Sequence, residues 1–66
     1  MMKLNELINV LYNIKVIILL ENECAKTIYN GLVDCLKSDD TFKKYKVKLI
    51  LPTIDKDLMI LVEEVK

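Results

Sequence analysis

Sixty-six residues suit a single domain, near the smallest size at which one apolar core folds unaided, and 53% of them are hydrophobic. Ten lysines balance ten acidic residues, and histidine, arginine, glutamine and tryptophan are all absent. A neutral chain without arginine is poorly equipped to hold polyphosphate by bulk charge, and one without histidine lacks the usual general base and metal ligand.

In chain order, Leu4, Leu7, Ile8, Leu11 and Ile14 follow helical spacing, which predicts a helix over residues 3–13 with Asn13 as its C-terminal cap. "KVIILLE" then reads as a strand, its unbroken apolar run (Val16 to Leu20) suiting a central position or a subunit contact. That run is far shorter than the ~20 residues of a membrane helix, and no signal-peptide pattern precedes it. "ENEC" is expected to turn and "AKTIYN" to return as a second strand, stopped at Asn30-Gly31, the one glycine of the chain.

Residues 32–44 read as a broken helix or two short ones, with Ser38 as a cap, acids early and lysines late. "YKVKLIL" alternates, with Tyr45, Val47, Leu49 and Leu51 on the core side and Lys44, Lys46 and Lys48 opposite. "PTIDKD" turns, and "LMILVEEV" is the last strand, with Leu58, Ile60 and Val62 on the core side. The expected fold is α+β: a small, mainly antiparallel sheet in the order α-β-β-α-β-β, helices packed on one face.

The segment "FKKYKVKLIL" carries the strongest chemical signature. Lys43, Lys44, Lys46 and Lys48 surround Tyr45 with no acid among them, which suits a strip tracking a nucleic-acid backbone. Against that, the rest of the chain holds six lysines and ten acids, and Tyr45 faces the core side rather than the lysines. A hairpin around residues 53–57 would set Lys46 or Lys48 opposite Glu63, a pairing that accounts for the lysines with no ligand. A solvated, ion-paired strand face is therefore the preferred reading and a nucleic-acid strip the alternative.

No catalytic, cofactor or metal site is expected, and the protein is not read as an enzyme. Ser38 is the one serine, and the paired carboxylates (Asp39-Asp40, Asp55 with Asp57, Glu63-Glu64) fall at caps, turns and strand ends. Cys24 and Cys35 have no second pair and no histidine, so idle thiols in a reducing cytoplasm are expected rather than a metal site. What remains is binding through apolar surface. A two-layer fold would leave Ile50, Met59, Leu61 and one side of the first strand uncovered, so self-association through these with Ile17 or Ile18 is expected. The acidic loops around Glu21 and Glu23 and around Asp55 and Asp57 are candidate contacts for another protein.

The succession "KLNELINVL", "KVIIL", "IYNG", "YKVKLI" and "LMILVEE" resembles small proteins encoded by phages and prophages of low-GC Gram-positive bacteria. The spaced markers are Tyr29, Gly31, Tyr45, Val47 and Ile50. The resemblance implies a bacterial cytoplasmic setting. By analogy it also implies action by binding a host or phage protein, as stoichiometric inhibitors of host defence, CRISPR effectors included, act.

Overall fold

The computed structural model describes residues 2–37 and 40–64, and the backbone alone of Asp40 and Lys43. One helix, α1 (Leu4–Val10), is followed by strands β1 (Lys15–Leu20), β2 (Lys26–Leu32), β3 (Tyr45–Pro52) and β4 (Leu58–Glu64). Short 3₁₀ turns occupy Glu21–Glu23, Val33–Leu36 and Asp40–Lys44. The last two stand where a broken helix or two short ones were expected, but they are 3₁₀ turns, so the fold is α+β with one α-helix among the described residues; Ser38 and Asp39 lie outside the described residues.

The stripe Leu4, Leu7 and Ile8 makes α1 bury one side, and the Glu6 carboxylate accepts a hydrogen bond from the Lys3 backbone N–H at 3.1 Å. The helix ends earlier than its spacing predicts, because Leu11 is already extended. Leu11 and Ile14 still pack against the core, from non-helical backbone. Asn13 is left-handed (φ 56°), and it redirects the chain into β1 instead of capping α1. Its N–H donates to Asp34 Oδ2 at 2.9 Å.

The sheet order is β2-β1-β4-β3. β1–β2 and β3–β4 are antiparallel, while the central pair β1–β4 is parallel, with Ile17 beside Met59 and Leu19 beside Leu61. The sheet is mainly antiparallel, as expected, and the parallel central pair, which was not expected, makes it mixed. Its topology explains the cover. β2 and β3 are opposite edges running the same way, and the 3₁₀ turns Val33–Leu36 and Asp40–Lys44 lie between the exit of one and the entry of the other. These turns lie with α1 on one face, where Val16, Ile18, Val33, Leu36, Phe42, Tyr45, Ile60 and Val62 form the core.

Two expectations about side-chain direction fail for identifiable reasons. A β-bulge between Val47 and Leu49 adds one residue to β3, so the alternation reverses beyond Lys48. Leu49 and Leu51, expected in the core, stand beside Leu61 and Met59 on the uncovered face and are 49% and 48% exposed. Ile50 pairs with Ile60 and so belongs to the covered side, at its rim.

Asn30-Gly31 does not turn either: β2 runs on to Leu32, and Gly31 has no positive φ. The glycine serves close approach. The Tyr29 ring lies over it, so a Cβ there would come 3.0 Å from the Tyr29 hydroxyl oxygen. That hydroxyl donates to the Leu32 carbonyl at 2.8 Å. The left-handed residues sit earlier, at Cys24 and Ala25 (φ 56° and 60°), where the chain reverses between β1 and β2.

Candidate functional site

The uncovered face of the sheet is built by the residues that alternate with the core. β1 contributes Ile17 and Leu19, β4 contributes Met59 and Leu61, and all four are half-buried by their neighbours. Register places Leu49 and Leu51 of β3 beside Leu61 and Met59. The result is a block of six large apolar side chains, three strands wide and two rows deep. Leu32 of β2, 48% exposed, stands beside Lys15 at one corner. No described helix or turn covers this block.

Of the residues expected at a self-association surface, Ile17, Met59 and Leu61 are thus brought together. Ile18 is not among them: it has no exposure and faces the core, because the strand period sends it opposite to Ile17. Ile50 is turned to the other side by the bulge. Leu49 and Leu51 are the members that sequence reasoning missed. Three consecutive apolar residues look alike in either register, so only the bulge position decides which of them face out.

One end of the block is closed by charge. Lys46 Nζ lies 3.9 Å from Glu63, and Lys48 Nζ lies 3.7 Å from both Glu63 and Glu21. On the covered side Lys44 meets Glu64 at 3.6 Å and sits over the Tyr45 ring, 5.4 Å from its centroid. Tyr45 itself is buried. Three of the four lysines of the strip are therefore matched by carboxylates; the Lys43 side chain lies outside the described residues. These pairs are a third to a half exposed and so contribute little each, ~0–1 kcal/mol.

The candidate acidic contacts do not form one surface. Glu21 is engaged by Lys48 and Glu23 by Lys26 (4.0 Å), both just past the C-terminal end of β1. Asp55 and Asp57 belong to the β3–β4 turn, at the opposite end of the sheet. There the Asp57 N–H donates to Thr53 Oγ1 at 3.1 Å and the Thr53 N–H donates to the Asp57 carbonyl at 2.9 Å. Ile54 projects fully exposed from that turn.

Both cysteines are free and exposed. Among the described residues no cluster of three or more His, Cys, Asp or Glu side chains is arranged to hold a metal ion, and no helix is long and apolar enough to cross a membrane. The Tyr29 hydroxyl is held above its ordinary pKa, first by burial and then by the Cys35 thiol, so it stays a neutral donor to Leu32. Compared with known proteins, the chain matches no family model, no curated protein and no solved structure.

Proposed function

We propose that this is a small non-catalytic protein-binding protein, and that the occupant of its open sheet face is a second copy of the chain. The observation that carries the reading is the uncovered block of Ile17, Leu19, Leu49, Leu51, Met59 and Leu61. Contiguous apolar surface of this kind favours association over solvation. A standard interface takes ~800 Å² from each partner, about a fifth of this molecule's 4478 Å². One broad face of a 31 × 24 × 19 Å body holds such a share. Two such faces pack as a sheet sandwich, each copy offering the same patch to the other.

The resemblance to phage and prophage proteins supports a stoichiometric action on a host or phage protein, an inhibitor of host defence being the form it suggests. A nucleic-acid role for Lys43 to Lys48 has less support, since Lys44, Lys46 and Lys48 already meet Glu64, Glu63 and Glu21. The test of the binding surface is Leu61→Lys, which leaves the core face untouched and puts a charge at the centre of the block. Light scattering is expected to show its mass fall below that of the native protein. An unchanged mass overturns the reading.

A further inference from the structure

The two edges of the sheet are treated differently. On β3 the edge is blocked: the Val47 N–H donates to the Met2 carbonyl at 2.9 Å, Lys3 bridges to Lys46, and the strand carries a bulge and ends on Pro52. Such devices keep an edge from pairing with another chain. β2 has no described strand beside its outer edge.

The ladder with β1 decides which β2 groups point outward. The Val33 N–H donates to the Ile14 carbonyl at 2.9 Å, and Leu32 and Asn30 stand opposite Lys15 and Ile17. Bonded and non-bonded pairs alternate along an antiparallel ladder, so Leu32 and Asn30 occupy non-bonded positions. Both the N–H and the C=O of Asn30, and the N–H of Leu32, are therefore directed away from β1. The Leu32 carbonyl already accepts the Tyr29 hydroxyl.

We propose that β2 pairs antiparallel with β2 of a second copy, Asn30 facing Asn30 across a two-fold axis. At that centre the outward donor and acceptor of each Asn30 satisfy those of the other reciprocally. The charges fit the same operation. β2 begins at Lys26, and Asp34 lies two residues beyond its end, so antiparallel self-pairing brings each Lys26 towards the Asp34 of the other copy. The bulge falls at Ile28, between Tyr29 and Thr27, so the regular part of the contact spans residues 29–31 of each copy, with Leu32 meeting the bulge at either end. Pairing also covers half-exposed Leu32.

This contact rests on the self-association proposed above and adds a second interface to it. Its axis runs perpendicular to the sheet, whereas the face-to-face axis lies in the plane of the sheet. Where these perpendicular two-folds intersect they close into a tetramer, here two eight-stranded sheets packed face to face.

Light scattering on four proteins at ~100 µM separates the two contacts. Asn30→Pro removes the outward N–H without breaking a ladder bond, a setting in which an edge strand tolerates proline. The native chain is expected as a tetramer, Asn30→Pro and Leu61→Lys as dimers, and the double variant as a monomer. Amide exchange in the native protein is an independent readout: the Asn30 N–H is expected to exchange on the order of 100-fold slower than in dilute monomer. A native dimer that Leu61→Lys dissociates, with the Asn30 amide unprotected, overturns edge pairing and keeps the face contact. A native dimer dissociated by Asn30→Pro alone keeps the edge and overturns the face. A native monomer overturns both.

Discussion

β1 and β4 carry nearly the same chemistry on their two faces and meet opposite fates. Val16, Ile18, Ile60 and Val62 are wholly excluded from solvent, whereas Ile17, Leu19, Met59 and Leu61, each one residue along, are only half-buried. Composition does not separate the two sets; cover does. Among the described residues, α1 and the 3₁₀ turns Val33–Leu36 and Asp40–Lys44 supply the cover, and they lie on one side. In a chain this short the supply of cover runs out before the supply of apolar strand surface. The remainder is the surface that the proposed second copy would cover.

The strongest test of that contrast is a matched pair of truncations. Ile60→Ala opens a cavity in the buried core and is expected to cost ~2–5 kcal/mol in urea unfolding. Met59→Ala, measured dilute enough to dissociate any assembly, is expected to cost under ~1.5 kcal/mol, because solvent already reaches that side chain. Equal costs would mean that both faces are covered within one chain.

A smaller effect is expected at the edge of the covered face. Gly31→Ala drives a Cβ into the Tyr29 hydroxyl at 3.0 Å and should cost ~1–3 kcal/mol. Combined with Tyr29→Phe, which removes that oxygen, the cost of Gly31→Ala should shrink in a double-mutant cycle. Simple additivity would contradict the placement of the ring over the glycine.

Smaller still, and of opposite sign, is relief of backbone strain where β1 turns into β2. Ala25 is left-handed with no glycine to ease it, so Ala25→Gly should stabilise by ~0.5–1 kcal/mol, read from the urea midpoint. The lysine strip is expected to matter least. Replacing Lys44, Lys46 and Lys48 with Gln should shift stability by under ~1 kcal/mol. DNA binding should show a log–log salt slope near zero; three or four phosphate contacts would give roughly −2 to −4. A steep slope abolished by the triple change would promote the strip from ion-paired surface to nucleic-acid site.

All four strands were legible in the sequence because the apolar period changes from 3.6 to 2 after Asn13, a direct consequence of backbone geometry. The unbroken run Val16–Leu20 left β1 as a central strand or a subunit contact, and the assumed hairpin left Lys46 or Lys48 opposite Glu63; β1 is central, and Lys46 is the residue in register with Glu63. What escaped depended on long-range geometry. The bulge at Lys48 leaves no mark in "KLIL", since Leu, Ile and Leu suit either face. Gly31 reads as a turn until Tyr29 is seen lying across it. The parallel pairing of β1 with β4 joins residues about forty apart, and no local pattern encodes it. The open block was accordingly half visible: Met59 and Leu61 by alternation, Ile17 only as one of two choices with Ile18, and Leu49 and Leu51, in place of Ile50, only after the bulge.

The central claim is that the open face is an interface, and the solution mass of the native chain tests it most directly. One chain weighs 7.7 kDa. Light scattering at ~100 µM is predicted to give at least twice that mass for the native chain and a lower mass for Leu61→Lys, the change that separates the face contact from edge pairing. A mass of one chain at that concentration would contradict the account.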